Sequence, residues 1–89
     1  MLKITKIQES ASDVLLKLEG KITEQWAALL DGECRAYLRK NKAVYLDCSN
    51  VEYIDDQGVE VINAFPHARV NLMSAPVLMT ELLQIGGRS

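Results

Sequence analysis

Apolar side chains recur at or near every second position in four segments of the chain, residues 2–8, 14–18, 44–48 and 68–73. This alternation predicts β-strands, because successive side chains of a strand point to opposite faces of a sheet. Residues 9–13 between the first two segments are polar or small, which favours an antiparallel hairpin. Gly20 is expected to end the second strand.

Two further segments carry apolar residues at the three- and four-residue spacing of a helix. Thr23 is a suitable N-cap for the first, since its hydroxyl can accept a free N–H of the opening turn. The predicted apolar stripe of this helix comprises Trp26, Leu29, Leu30, Cys34, Tyr37 and Leu38. The second helix, near the C-terminus, has Ser74 as a candidate N-cap. Its apolar side comprises Val77, Leu78, Leu82 and Ile85, and Gly86 and Gly87 end it.

Another helix is predicted in the middle of the chain, after an acidic junction. The strand that ends at Cys48 is followed by a loop and then by Asp55 and Asp56. We expect Asp55 to cap the helix, because a carboxylate accepts unpaired N–H groups of a first turn and suits the positive end of the helix dipole. The apolar positions of the helix are Val59, Ile62 and Phe65. Such junctions often carry function, since a helix start exposes backbone N–H groups.

The predicted elements follow one another in the order β-β-α-β-α-β-α. A strand–helix–strand connection crosses over right-handed and makes its two strands parallel. We therefore expect an α/β fold with a mixed, mostly parallel four-stranded sheet and about three helices. At 89 residues, the chain is expected to form one domain spanning residues 1–89.

Composition and charge argue against several classes of function. A net charge of −2 argues against nucleic-acid binding, which needs a concentrated basic face. We interpret the one loose basic group as the solvated end of a helix; it comprises Arg35, Arg39, Lys40 and Lys42. No stretch approaches the roughly 20 apolar residues of a membrane span, and the N-terminus lacks the apolar core of a signal peptide. We expect a cytoplasmic protein without direct membrane insertion, in which Cys34 and Cys48 are free packing thiols.

Candidate catalytic groups are few. His67 is the only histidine, so neither a histidine-based metal cluster nor a Ser–His–Asp triad can form. Asp55 and Asp56 are adjacent in sequence, whereas catalytic carboxylate pairs usually come from separate elements that face one cleft. The sequence therefore predicts no enzyme, with no catalytic residue, no metal and no cofactor.

One motif runs through the central segment, and its residues are Leu46, Asp47, Ser49, Val51, Ile54, Asp55, Gly58 and Val59. It resembles the signature of STAS domains, a family named for sulfate transporters and anti-sigma-factor antagonists, and the resemblance implies the same STAS-like element order. The family signature ends in Asp-Ser-Ser-Gly, and its second serine is the phosphoacceptor of the antagonists. Here residues 55–58 are Asp-Asp-Gln-Gly. Gln57 therefore occupies the position of the family phosphoacceptor, and glutamine has no hydroxyl to take a phosphate.

The resemblance also implies that the exposed face of the central helix binds a protein partner. This face comprises Asp56, Gln57, Glu60 and Asn63; the alternative is a solvated helix face without a partner. Asp56 either imitates part of the charge of a phosphate, with fewer oxygens, or belongs to a chain that binds its partner without phosphorylation at this site. We favour the second interpretation, because the carboxylate lies one residue from the acceptor position.

Three functions fit this resemblance. The first is a regulatory interaction module of the anti-sigma-factor-antagonist type, which binds a kinase-like anti-sigma protein and thereby releases a transcription factor. The second is a STAS subunit docked on the ATPase of an ABC-type lipid transporter. The third, ranked last because the sequence has no glycine-rich phosphate loop, is a nucleotide or small-molecule sensor.

Overall fold

The computed structural model describes residues 1–82. Its elements are β1 (Leu2–Glu9), β2 (Asp13–Ile22), α1 (Glu24–Arg39), β3 (Ala43–Ile54), α2 (Asp56–Ala64), β4 (Val70–Met73) and α3 (Val77–Leu82). The strands form one four-stranded sheet in the order β1-β2-β3-β4. β1 and β2 are antiparallel, whereas the pairs β2–β3 and β3–β4 are parallel. The predicted α/β fold and element order are confirmed; Ile85, Gly86 and Gly87 lie outside the described residues.

The core lies on one face of the sheet, where α1 packs on β2 and β3 and α2 packs on α1 and β3. Alternate residues of the two central strands are buried in it, namely Val14, Leu16, Leu18, Val44, Leu46 and Cys48. Burial stabilises the fold by about 1.5–3 kcal/mol for each such leucine or valine. The intervening residues lie on the opposite face and are partly or largely exposed, as Tyr45 is at 37%.

β3 continues to Ile54, so the prediction of a strand that ends at Cys48 and a loop after it is wrong. The pairing of β3 with β2 shifts twice, and each shift inserts an extra residue into β3, as in a β-bulge. Near the first shift the Asp47 carboxylate accepts the N–H of Ser49 at 3.0 Å. The buried residues of β3 after Cys48 are Val51 and Ile54. Their three-residue spacing breaks the alternation that would have identified the strand.

β2 also continues past the predicted end at Gly20, as far as Ile22. Gly20 has a φ of 106°, a conformation that favours glycine. A Cβ at this position would lie 2.4 Å from the carbonyl oxygen of Met1, which accepts the N–H of Lys21 at 2.9 Å. The glycine therefore marks a close approach of the N-terminus to β2 and not the end of the strand.

α1 buries a stripe that differs from the predicted one at two positions, because Ala27 is buried and Leu29 is not. Its buried residues are Ala27, Leu30, Cys34 and Leu38, with Trp26 and Tyr37 half-buried beside them. Leu29 is 45% exposed, because it lies about 200° around the helix from Ala27. The helix ends at Arg39 with Lys40 as its C-cap. Asn41 follows with a φ of 62° and donates its N–H to the Leu38 oxygen at 3.0 Å.

α3 begins three residues after Ser74, so the prediction of Ser74 as its N-cap is wrong. The carbonyl oxygen of Pro76 instead accepts the N–H of Thr80 at 3.2 Å, in the first turn of the helix. Met79 is buried, whereas Val77 and Leu82 of the predicted apolar side are 73% and 46% exposed. Val77 points outward because it lies about 200° around the helix from Met79.

Candidate functional site

A single carboxylate organises the junction between β3 and α2. Asp55 is the N-cap of α2, and its Oδ1 accepts the N–H of Gly58 at 2.8 Å. Its Oδ2 accepts the N–H of Glu24, the first residue of α1, at 3.1 Å. The backbone N–H of Asp55 donates to the Ile22 oxygen at 3.2 Å. Asp55 therefore holds the starts of two helices together above the end of β2.

Thr23 occupies the N-cap position of α1, but its hydroxyl makes no capping hydrogen bond. The predicted role of that hydroxyl is therefore wrong. Glu24 has a φ of 49°, in the left-handed region that is uncommon for residues other than glycine. The N–H of Trp26 donates to the Thr23 carbonyl oxygen at 2.8 Å, and the N–H of Glu24 is satisfied by Asp55. A tertiary contact thus replaces the local cap.

Gly58 lets the first turn of α2 lie directly on the sheet. The residue is buried, and a Cβ there would come within 2.5 Å of the Ile22 carbonyl oxygen and 2.6 Å of Cγ1 of Ile54. Real side chains do not occupy such space, so only glycine permits this approach. The close contact and the Asp55 cap together fix which residues of α2 face outward.

The predicted partner-binding residues lie on the outer side of α2. Asp56, Gln57 and Glu60 are exposed, while Asn63 is half-buried and takes part in a polar or electrostatic interaction. Asp56, Glu60 and Asn63 follow one another at intervals of four and three residues, which aligns them in one row along the helix. We call them the acidic row. Gln57 lies beside it, about 100° around the helix from Asp56.

The charge of the acidic row is not balanced by its own helix. α2 has an acidic residue in its first turn and no basic residue in its last. Carboxylates near a helix N-terminus also interact favourably with the helix dipole. The row therefore presents two carboxylates and an amide, an arrangement suited to binding cations and hydrogen-bond donors of another molecule.

Sequence reasoning missed an exposed aromatic side chain shortly before α2 in the chain. Tyr53, two residues before Asp55, is 51% exposed and lines a cleft of about 30 Å³ together with Pro76 and Met79. Val77 lies beside this cleft in sequence and is 73% exposed. Val51 and Ile54 are both buried although they lie three positions apart, because β3 is bulged there. Tyr53, which lies between them, points outward.

The other candidate groups form no metal site among residues 1–82. His67 is exposed in the turn before β4, and no cluster of histidine, cysteine or acidic residues in the described part could hold a metal ion. Cys34 and Cys48 are buried, and burial raises the pKa of each thiol to about 12. No helix in the described range is long and apolar enough to cross a membrane.

Comparison with known proteins agrees with this architecture. The structure is similar to that of the anti-sigma factor antagonist SpoIIAA in its unphosphorylated form, with a TM-score of 0.71. The similarity covers 94% of this chain and 84% of the other at 12% identity, so it shows a shared fold. No curated protein sequence matches significantly. The family model of the STAS domain matches residues 4–68, which include the Asp55 junction and α2, and the chain therefore belongs to the STAS domain family.

Proposed function

We propose that this STAS domain is a non-catalytic regulatory module that binds a protein partner through α2, as an anti-sigma-factor antagonist does. The observation that carries the proposal is the acidic row on a helix whose start is fixed by Asp55 and Gly58. A rigid surface loses little conformational entropy on binding. The favoured partner is a kinase-like anti-sigma protein with a basic or hydrogen-bond-donating surface.

We extend the proposed surface to Tyr53, which lies two residues before the Asp55 cap of α2 and shares a cleft with Pro76 and Met79. Tyr53 and Val77 are both more than half exposed, and aromatic residues commonly anchor interfaces because they bury a large area with few rotatable bonds. In the proposed complex, the row sets orientation and charge complementarity while Tyr53 contributes burial. A Tyr53→Ala variant should therefore weaken binding mainly through faster dissociation.

We further propose that partner binding is not controlled by phosphorylation at the usual STAS position. Gln57 is exposed but has no hydroxyl. Asp56 is a poor substitute for phosphoserine, because it carries one negative charge in place of roughly 1.5–2. Its side chain also projects about 100° around the helix from that of Gln57. These differences favour binding without phosphorylation at this site over permanent imitation of the phosphorylated state.

A kinase assay tests this proposal. The chain and its Gln57→Ser variant are incubated with the partner kinase and labelled ATP, with Gln57→Ala as the matched control that changes the same position without adding a hydroxyl. Labelling of Gln57→Ser alone supports a lost acceptor in a retained kinase-binding surface. Labelling of the unaltered chain would show that another residue takes the phosphate and would overturn the proposal.

A further inference from the structure

A cationic depression lies at the far end of α1 from the Asp55 junction. It is lined by Arg35, Leu38, Arg39, Pro66 and Arg69 and has a volume of about 370 Å³. α1 has 16 residues, so its two ends are roughly 24 Å apart. Among the residues described, the lining contains three arginines and no carboxylate, in a chain whose net charge is −2.

Arg69 is held in a fixed orientation at this depression. Its Nη2 donates to the carbonyl oxygens of Leu38 at 3.0 Å and Lys42 at 3.1 Å, which close the C-terminal end of α1. These bonds use Nη2 alone and leave the N–H groups on Nε and Nη1 for another acceptor. The guanidinium therefore caps the helix and still offers donors to a ligand.

Arg35 and Arg39 add further hydrogen-bond donors, and the guanidinium of Arg35 is held in place by contacts within the chain. Arg35 donates from Nε to Asp31 at 2.9 Å, and its guanidinium lies 5.3 Å from the centre of the Phe65 ring. Its two terminal nitrogens remain available. The side chain of Arg39 makes no hydrogen bond or ion pair with any of residues 1–82. Asp31 offsets the charge of Arg35, so Arg39 and Arg69 supply the net positive charge that attracts an anion to the depression.

We propose that this depression binds the phosphate group of a small molecule. Guanidinium groups donate paired, charge-assisted hydrogen bonds that match phosphate oxygens. The volume is within the range of small-ligand sites and exceeds what a free phosphate needs. Leu38 and Pro66 supply an apolar wall for the carbon part of a phosphate monoester. The lining shares no residue with the acidic row, so the two proposals are tested on different side chains.

The test is a titration of the whole chain with inorganic phosphate and, separately, with glycerol phosphate. Ionic strength is kept constant with sodium chloride, and ¹H–¹⁵N NMR follows the backbone amides and the arginine Nε–H groups. We expect saturable shifts at Arg69 and at the end of α1. Tighter binding of glycerol phosphate would assign the site to a monoester, and equal binding would assign it to the free anion.

Two variants separate this site from general charge attraction. Arg39→Gln removes a guanidinium with no structural bond, so it should leave the melting temperature unchanged and weaken phosphate binding about tenfold. Lys21→Gln removes an exposed cation near the opposite end of α1 and should leave the affinity unchanged. Shifts that never saturate, or equal losses in both variants, would overturn the proposal. Arg35→Gln provides a second variant with the same expected weakening.

Discussion

The Asp55 carboxylate accepts a hydrogen bond from the backbone N–H of Glu24, a residue 31 positions earlier in the chain. The same side chain caps α2 through Gly58. One residue therefore fixes the relative placement of two helix starts, and it holds Glu24 in a left-handed conformation that costs of order 1 kcal/mol or more. The orientation of the acidic row depends on the capping of α2 by Asp55.

Asp55→Ala should lower the free energy of unfolding by about 1–2 kcal/mol, because it removes the N-cap of α2 and the acceptor for Glu24. Urea denaturation measures the change. The matched control is Asp56→Ala, which removes a neighbouring exposed carboxylate and should change stability by less than about 0.5 kcal/mol. Equal losses in the two variants would contradict the role assigned to Asp55.

Gly58 and Gly32 should respond in opposite directions to the same substitution. Gly58→Ala forces a Cβ to within 2.5 Å of the Ile22 carbonyl oxygen and should destabilise the fold by about 1–3 kcal/mol or more. Gly32 lies in the middle of α1 with no atom within 4 Å of an added Cβ. Gly32→Ala should therefore stabilise by about 0.5–1 kcal/mol. Thermal unfolding of both variants decides the point, and a neutral Gly58→Ala would refute the close helix–sheet contact.

Glu9 should contribute a pH-dependent part of the stability. Lys42 and Lys6 both donate to its carboxylate and lower its pKa to about 2. Lys42 also donates to the Ser10 oxygen at 2.8 Å, which ties the β1–β2 hairpin to the start of β3. Since the pKa is lower in the folded chain than the ordinary value of 4.5, the contribution is complete above about pH 4.5. It is lost as the pH falls toward 2.

The measurement compares the unaltered chain with Glu9→Gln from pH 7 to pH 2. The stability difference should be constant down to about pH 4.5 and should shrink below it. Added salt should reduce the difference at neutral pH, because the ion pairs are near the surface. A stability difference between the two chains that stays constant to pH 2 would contradict the prediction, because it would show that the charge of Glu9 does not contribute.

The two cysteines should be unreactive in the folded chain. Burial raises the pKa of Cys34 and of Cys48 to about 12, and the thiolate is the form that reacts. Incubation with iodoacetamide at pH 8 should leave both thiols unmodified over minutes, whereas the same treatment in urea should modify both. Rapid modification of either under native conditions would contradict the packing of α1 against β3.

The strongest periodic patterns predicted the fold, and the errors arise where distant segments of the chain meet. Val14, Leu16 and Leu18 recur at every second position and identified their strand, but bulges concealed the second half of β3 around Val51. A close approach of Met1 made Gly20 resemble a strand end. These features depend on contacts between segments that are distant in sequence, and local patterns do not contain them.

The sequence predicted the residues of the candidate site but not the contacts that hold them in place. The family resemblance singled out Asp55, Asp56 and Gln57, and helical periodicity added Glu60 and Asn63 to their side of the helix. The bond from Asp55 to Glu24 was not predictable, because it joins residues 31 positions apart. The exposure of Tyr53 depended on the same bulges that concealed the strand. Partner binding by these residues remains a prediction.

The central claim is that the acidic row binds a regulatory protein partner. The most direct test is a pull-down from the cytosol of the source organism with the tagged chain, with bound proteins identified by mass spectrometry. A Glu60→Lys variant reverses one charge of the row. The matched control is Glu33→Lys, the same reversal at an exposed position of α1. Circular dichroism verifies that all three chains are folded.

We predict that the unaltered chain and Glu33→Lys recover the same kinase-like anti-sigma protein and that Glu60→Lys does not. Recovery of a transport ATPase with the same dependence on Glu60 would retain the binding surface and assign the chain to the transporter-subunit class. Undiminished recovery of the partner by folded Glu60→Lys would contradict the account, because the acidic row would then be a solvated helix face.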